Sequence, residues 1–260
     1  TGTSGKSTVT TLVGSIFQVA GYDLYMGGNL GTPALDLWQA YCDRPLEEQR
    51  EPLFLLELSS FQLETTDSLQ ANIGVILNIS PDHLDRYRNY EHYIESKLRL
   101  FPQSQAIIVP RGEPHIEEYL QKTGQKALSF ALFSEEGEDI AWSADLTSST
   151  LCYFGKPVVQ YGESRLGGQH NLLNIVAAAA IAHQYGVDFE AIERGIQAYE
   201  PLPHRSVLVA EIAGVRYFND SKATNLSSTE AAILGFPEKK WLILGGVTKG
   251  QDFSPLKELL

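Results

Sequence analysis

Cysteine is scarce in this sequence, which contains only Cys42 and Cys152, far apart along the chain. Zinc sites need closely spaced cysteine or histidine ligands, so this pair does not indicate a metal site. The pair also does not form the kind of disulfide framework found in small secreted proteins. We interpret both residues as ordinary thiols, which fits a protein of the reducing cytoplasm.

The sequence also lacks a basic excess and long hydrophobic runs. It contains 20 Lys and Arg and 32 Asp and Glu, which gives a net charge of −12. We expect no nucleic-acid partner, because proteins that bind nucleic acids carry a basic surface. No apolar run reaches the length of a membrane span, so we expect no membrane insertion. The 260 residues are 43% hydrophobic and 20% charged, which is typical of a globular chain with one or two domains. We expect a cytoplasmic monomer that acts on small molecules.

Short apolar runs alternate with helical patterns in the first half of the chain. The runs at 53–58, 73–79 and 106–109 have the length and flanking residues of parallel strands buried on both faces. Helical periodicity is found at 7–20 and around 91–101. The alternation predicts an α/β fold with a doubly wound, mostly parallel sheet.

Later segments predict different local structure. Residues 127–166 contain short strand patterns with polar turns, which we interpret as a small antiparallel portion of the sheet. An Ala-rich helix is expected at 171–186, and another helix is expected to start near Asp188, a favourable N-cap.

A break at Pro201-Leu202-Pro203 marks the predicted domain boundary. It separates a first domain, 1–201, from the start of a second, Rossmann-like α/β domain, 202–260. The expected features of the second domain are a hairpin over 207–212 and 215–219, a helix opened by a capping box of Ser227 and Glu230, and a buried strand over 241–244.

A glycine-rich stretch at the start of the chain predicts a phosphate-binding loop. The motif is G-x-x-x-x-G-K-[ST]; Gly5-Lys6-Ser7 supplies its end, and its first glycine would fall just before Thr1. Glycines let successive N–H groups point at phosphate oxygens, and the following helix adds its positive dipole end. Lys6 would face the terminal phosphates and Ser7 would ligate Mg²⁺. The alternative is a turn with an incidental lysine, but the amphipathic helix that follows favours the phosphate loop.

Two polar residues follow predicted strands. Glu57 lies near the end of the strand at 53–58, where a buried carboxylate is costly unless it is paired or bound to a metal. Because strand ends in an open α/β sheet face the ligand crevice, we interpret Glu57 as a second Mg²⁺ ligand; a solvated glutamate is the alternative. His83 follows the run at 73–79 and would reach the same edge as a functional residue, with a solvated or core histidine as the alternative.

Several other residues have two open interpretations. Asn171 and Asn174 could contact adenine, although helix capping is the default from the residues alone. Arg205 and Lys222 could neutralise a transferring phosphate, or they could be exposed basic residues. For Lys97 the helical pattern alone predicts a surface lysine without a role.

Six segments together resemble one family. They are Gly2-Thr3-Ser4-Gly5-Lys6-Ser7-Thr8, the stretch at 56–63, Asp82-His83-Leu84-Asp85, Gly168-Gln169-His170-Asn171, Leu202-Pro203-His204-Arg205 and the stretch at 219–225. In this order they resemble the Mur ligases of peptidoglycan synthesis, over nearly the whole chain. Ligases of this family have a uridine-nucleotide domain, a central ATP-binding domain and a C-terminal amino-acid-binding domain. The chain is similar to the central domain and the first part of the third, and the stretches at 57–63 and 220–225 are similar to the members that add D-glutamate.

The resemblance implies an ATP-dependent amide ligase. In the family reaction ATP phosphorylates the substrate carboxylate to give an acyl phosphate. In the members that add D-glutamate, the substrate is UDP-N-acetylmuramoyl-L-alanine, and the amino group of D-glutamate attacks the acyl phosphate. The tetrahedral intermediate then collapses to amide, ADP and phosphate. The alternatives are a ligase of the folate polyglutamate type, against which the run at 221–225 argues, and a nucleotide-binding module without turnover.

The resemblance also implies cofactors and residue roles. ATP and a pair of Mg²⁺ ions are expected. The implied nucleotide ligands are Gly2, Thr3, Ser4, Gly5, Lys6, Ser7 and Thr8 at the phosphates, Asn171 and Asn174 at adenine, Arg205 at the γ-phosphate and Asp220 at the ribose. The implied metal ligands are Ser7 and Glu57 for one ion, and His83 and a carbamylated Lys97 for the other. The implied catalytic residues are Lys6, His83, Lys97 and Arg205. The implied substrate contacts are Asn29, Ser59, Lys222, Thr224 and Lys249, the last three facing the D-glutamate carboxylates. The chain departs from the family at Ser4, where asparagine is usual, and at Thr248, where an acidic residue or glycine is common.

Overall fold

The computed structural model describes residues 1–133, 139–162, 164–166, 168–236, 239–246, 253–254 and 256–259, with Ser227 and Glu258 described by their backbone alone. The helices are α1 (Lys6–Val19), α2 (Ala34–Cys42), α3 (Ser60–Glu64), α4 (Tyr90–Leu98), α5 (Pro114–Thr123), α6 (Gln169–Gln184), α7 (Phe189–Gln197), α8 (Leu226–Leu234) and α9 (Leu256–Leu259). The strands are β1 (Asp23–Gly28), β2 (Pro52–Glu57), β3 (Ala71–Val75), β4 (Ser104–Pro110), β5 (Leu128–Phe130), β6 (Trp142–Asp145), β7 (Thr150–Tyr153), β8 (Lys156–Gln160), β9 (Val207–Ile212) and β10 (Val215–Asn219). Short 3₁₀ turns cover Leu46–Glu48 and Phe101–Gln103.

The strands form a mostly parallel α/β core with an antiparallel end. Strands β3, β4, β5 and β6 pair in parallel, and β7 and β8 continue the same sheet in antiparallel pairing. Strand β1 pairs in parallel with β2 as a separate ladder. An apolar cavity of about 340 Å³ lies between β2 and β3. The predicted fold class is confirmed, including the small antiparallel portion.

Helix α1 is the centre of the main core and carries the phosphate loop at its N-terminus. Leu12, Val13 and Ile16 of its apolar stripe are fully buried, and they belong to the same cluster as the Ala-rich helix α6. Helix α7 approaches α1 closely at Gly195, where a Cβ atom would lie 2.5 Å from the Ile16 Cα. The packing of α6 and α7 therefore fixes the helix from which the loop projects.

Two strands differ from the sequence prediction. The strand expected at 73–79 ends at Val75, because the following residues pair with the phosphate loop: the Leu77 N–H donates to the Thr1 carbonyl. Strand β1 was not predicted because its end, Gly27-Gly28, has the composition of a turn. Gly28 has a φ of 101°, and a Cβ atom there would lie 2.4 Å from the Glu57 carbonyl oxygen, so β1 needs glycine to pair with β2.

The predicted hairpin of the second segment is confirmed, with β9 and β10 in antiparallel pairing. The predicted capping box is wrong: the N-cap of α8 is Asn225, whose side chain accepts from the Ser228 N–H, so Ser227 lies inside the helix. The predicted buried strand at 241–244 is also wrong, since Trp241 is 88% exposed and Ile243 fully exposed. Within the described ranges this segment belongs to none of the hydrogen-bonded sheets. None of the described helices is long and apolar enough to cross a bilayer.

Candidate nucleotide-binding site

Residues 1–5 form a loop held beside the segment that follows β3. The Thr3 N–H donates to the Asn78 carbonyl (3.1 Å), and the Ser4 N–H donates to the Asn78 side-chain oxygen (2.8 Å). Gly5 adopts a φ of 81°, in the region that favours glycine, and caps α1. No side chain caps this end of α1, so its first N–H groups can face an anion. This backbone geometry suits a phosphate group.

Lys6 folds back over the loop. Its ammonium group donates to the carbonyls of Gly2 and Thr3, both at 3.0 Å. Burial lowers the pKa of Lys6, while the nearby carboxylates of Glu57 and Asp82 act in the opposite direction. Lys6 therefore places a positive charge at the phosphate loop, where the terminal phosphates of a nucleotide would lie.

Glu57 is buried at the end of β2, with only 3% of its surface exposed, so the solvated alternative is wrong. One carboxylate oxygen accepts from the Asn29 side-chain amide (2.7 Å). The other oxygen is buried and has no hydrogen-bond partner in the described part of the chain. An unpaired buried carboxylate oxygen is costly, and a cation would satisfy it. Glu57, together with the buried hydroxyl of Ser7, therefore fits a Mg²⁺ site chemically.

Lys97 is the clearest failure of the sequence pattern. It is 2% exposed rather than on the surface, because the face of α4 that carries it is buried beside the phosphate loop. Its ammonium donates to the Gly2 carbonyl (2.9 Å) and lies 4.7 Å from the centroid of the Tyr93 ring. Burial lowers the pKa of Lys97 to about 7, and the charge of Lys6 adds to this shift.

His83 lies at the rim of the site. Its side chain is 43% exposed, its ring centroid is 4.9 Å from that of Phe61, and its Nε2 is 3.7 Å from the Asp82 carboxylate. Its φ of 53° is unusual for a residue other than glycine. Across the described ranges, no group of three or more His, Cys, Asp or Glu side chains is arranged to hold a metal ion. The geometry thus brings Glu57 close to the loop lysine but does not bring His83 into a preformed carboxylate cluster.

Asn171 and Asn174 lie inside α6 and neither is its N-cap residue, so the default interpretation was wrong. The N-cap is Gly168, without a side-chain hydrogen bond. The Asn174 amide donates to the Asn171 side-chain oxygen (3.3 Å), and Asn171 is 5% exposed. The Asn174 oxygen lies so close to Gly5 that a Cβ atom there would be 2.6 Å away. Asn174 therefore lies against the phosphate loop, and Asn171 is hydrogen-bonded to it.

Arg205 reaches the phosphate loop from the far end of the chain. Its Nη2 donates to the Ser7 hydroxyl (2.9 Å), so it is not a free surface residue. Further contacts accompany it: Ser4 Oγ lies 3.0 Å from Ser228 Oγ, and the Asn225 amide donates to the Asp82 carboxylate (3.2 Å). The segment after the proline break thus packs against the loop.

The remaining predicted residues differ in their burial and their contacts. Lys222 and Thr224 are exposed, in agreement with the surface interpretation of Lys222. Ser59 is the N-cap of α3 and forms a capping box with Gln62. The Asp220 carboxylate accepts from the Ser206 N–H (3.0 Å), and burial raises its pKa. Thr8 is buried in the first turn of α1, and Lys249 lies outside the described residues.

Sequence reasoning missed several residues at or near the loop, among them Tyr93, Asn225 and Ser228. The Tyr93 hydroxyl lies 2.8 Å from Thr3 Oγ1, and the other two make the contacts given above. Asn225 could have been found, because it ends a motif segment already recognised at 219–225. Tyr93 and Ser228 carry no local signal of this kind.

The sequence was also compared with known protein families and proteins. The Mur ligase middle domain matches residues 1–182. The chain belongs to the Mur ligase family. Similar Mur ligases include the UDP-N-acetylmuramoylalanine–D-glutamate ligases of Methylococcus capsulatus (41% identity over 98% of this chain and 54% of the relative) and Haemophilus ducreyi (43% identity over 100% and 57%). The chain therefore spans a little over half the length of these curated relatives.

Solved Mur ligase structures share the fold. A pseudomurein peptide ligase type C from Methanothermus fervidus superposes with a TM-score of 0.69 at 17% identity, over 92% of this chain and 56% of that one. A UDP-N-acetylmuramoylalanyl-D-glutamyl-2,6-diaminopimelate–D-alanyl-D-alanyl ligase from Acinetobacter baumannii has a TM-score of 0.62 at 22% identity, over 89% and 52%. At these identities the likeness concerns the fold alone.

Proposed function

We propose that this chain is the nucleotide-binding part of an ATP-dependent ligase that joins D-glutamate to UDP-N-acetylmuramoyl-L-alanine. The observation that carries the proposal is the convergence of Lys6, Ser7 and Arg205 at a helix N-terminus without a side-chain cap. This N-terminus lies beside the Glu57 carboxylate, of which one oxygen is unpaired. The names of relatives about 40% identical support the choice of D-glutamate. A nucleotide-linked substrate and ATP also support a cytoplasmic location.

The residues of this site suit phosphoryl transfer to a carboxylate. The loop N–H groups and Lys6 would hold the β- and γ-phosphates, and Arg205 would exchange its contact with Ser7 for one with the γ-phosphate. A substrate carboxylate oxygen would attack the γ-phosphorus, breaking its bond to the bridging oxygen and releasing ADP. The D-glutamate nitrogen would then attack the acyl carbon, phosphate would leave, and the nitrogen would lose a proton. Fixed cations favour the transfer of the γ-phosphoryl group, because negative charge on the phosphate oxygens has to be stabilised in its transition state.

Mg²⁺ would be held by Glu57 and Ser7, and when bound it would neutralise phosphate charge. A second ion would need His83 and a carbamylated Lys97. The burial of Lys97 supports that modification, because it favours the neutral amine, which can attack CO₂ to form an N–C bond and release a proton. The proposal includes contacts of Asn171 and Asn174 with the adenine of ATP, and of Asp220 with its ribose. The substrate side would comprise Asn29, Ser59, Lys222, Thr224 and Lys249.

The test is ADP release by the full-length gene product, which should require both D-glutamate and UDP-N-acetylmuramoyl-L-alanine. Lys6→Ala should abolish it, since the lysine balances phosphate charge. Equal turnover with L-glutamate or meso-diaminopimelate would exclude the D-glutamate assignment, and folate-dependent ADP release would favour the folate polyglutamate alternative. Residues 1–260 alone should bind ATP with Mg²⁺ without forming amide; amide product from them would contradict this part.

A further inference from the structure

Tyr199 connects the helix of the phosphate loop to the linker that leads to Arg205. Its ring is 4% exposed in the main core, and its hydroxyl lies 2.9 Å from Thr11 Oγ1. Because Thr11 donates its own proton to the Ser7 carbonyl (2.8 Å), Tyr199 is the donor to Thr11. One hydroxyl therefore ties the linker to the first turns of α1.

The linker is a short, stiff arm between Tyr199 and Arg205. It contains Pro201 and Pro203, whose rings fix the backbone angle φ. Its root is held at Thr11 and its tip reaches Ser7, one helical turn earlier on α1. An arm this short transmits a shift at its root to its tip.

The backbone around Arg205 is strained and held by hydrogen bonds. His204 and Ser206, on either side, have φ of 64° and 51°, which non-glycine residues adopt only when their surroundings enforce it. The His204 carbonyl accepts from the Lys222 N–H (3.1 Å), and the Ser206 N–H donates to the Asp220 carboxylate (3.0 Å). These contacts hold the backbone on both sides of Arg205, and Tyr199 holds the other end of the linker.

We propose that Tyr199 is a positioning residue whose hydroxyl fixes the root of this arm and thereby sets how Arg205 meets the terminal phosphate of the nucleotide. This inference rests on the proposed function, because it requires a bound nucleoside triphosphate. Phenylalanine at this position would keep the ring in the core and remove the hydrogen bond to Thr11. The arm would then be held only near its tip, and Arg205 would be less well placed.

The experiment measures ATP and ADP affinity of the full-length gene product by calorimetry with Mg²⁺. Tyr199→Phe should weaken ATP binding about 3- to 10-fold, the effect of one lost hydrogen bond, and change ADP binding less than about twofold. ADP lacks the phosphate that Arg205 contacts, so a purely structural role would move both affinities alike. Thr11→Val should reproduce the ATP effect, whereas Thr11→Ser, which keeps a hydroxyl, should bind ATP like the wild type.

The coupling to Arg205 provides the second readout. In an Arg205→Ala background, Tyr199→Phe should change ATP affinity less than about twofold, because its effect acts through the missing arginine. Tyr185→Phe, at the end of α6 in the same core, should leave both affinities unchanged. Wild-type ATP affinity in Tyr199→Phe, equal weakening of ATP and ADP, or an undiminished loss without Arg205 would overturn the positioning role. If the wild type binds neither nucleotide, the proposed function fails and the inference fails with it.

Discussion

Lys6 and Lys97 donate to the same carbonyl oxygen, that of Gly2, from two different helices. Two ammonium groups at one acceptor repel each other, and each is also desolvated. Such an arrangement is unfavourable for the unmodified chain. It is relieved when a phosphate lies beside Lys6, or when Lys97 takes the proposed carbamate form and becomes an anion. At the scale of single residues, the site is therefore electrostatically prepared for phosphate.

The pH dependence of stability should report on Lys97. Since its pKa is lowered from 10.5 to about 7, the folded protein binds fewer protons than the unfolded chain between these values. The free energy of unfolding should therefore rise with pH across this window, and the cost of the buried charge should be fully present below it. Lys97→Met should flatten this dependence in urea titrations run without bicarbonate. Lys122→Met, an exposed control, should not, and equal slopes for wild type and Lys97→Met would contradict the burial argument.

Glu57→Gln should separate a metal role from a structural one. Glutamine can still accept from Asn29, so the fold should persist, but the charge that favours a cation is lost. The Mg²⁺ concentration needed for half-maximal ATP binding should rise at least about tenfold, and excess Mg²⁺ should restore binding in part. The control is Glu193→Gln, because the Glu193 carboxylate accepts a hydrogen bond from the backbone N–H of Gln160. An unchanged Mg²⁺ requirement would exclude a metal role for Glu57.

At the scale of elements, the position of the phosphate loop depends on how closely α7 packs on α1. Gly195→Ala should destabilise the protein by about 1 to 3 kcal/mol, although alanine is the better helix former, because its Cβ would collide with the Ile16 backbone. Gly14→Ala is the matched comparison: there the nearest atom is the Met26 sulfur, at 2.8 Å, which can move aside. The loss should thus be specific to Gly195. Chemical denaturation measures both, and equal stabilities for the two variants would contradict the packing account.

Elements with a strong internal pattern were predictable from the sequence. The Ala-rich α6 and the hairpin β9–β10 are examples, since periodicity and turn residues determine each locally. Strand β1 was not, because its glycines serve the close pairing with β2, a tertiary requirement. The prediction of a strand at 241–244 was wrong because the local pattern was apolar enough but the tertiary partner is missing from the described sheets. An apolar run becomes a strand only where partner strands exist.

At the scale of the whole molecule, the site is assembled from segments far apart in the chain. Motifs identified the phosphate loop, and strand-end reasoning identified Glu57. Neither could show that Arg205 reaches Ser7 or that Lys97 is buried, because these contacts depend on how separate helices and the linker pack. The resemblance to Mur ligases supplied a role for Lys97 that its helical pattern did not indicate.

The central claim, that the γ-phosphate is transferred to a carboxylate, is tested most directly by isotope transfer. UDP-N-acetylmuramoyl-L-alanine labelled with heavy oxygen in its carboxylate would be turned over by the full-length gene product with ATP and D-glutamate. The released inorganic phosphate would then be examined by mass spectrometry. The account predicts that each phosphate carries one labelled oxygen, since the carboxylate oxygen that attacks the γ-phosphorus leaves with it. Amide formation with unlabelled phosphate would contradict the acyl-phosphate route.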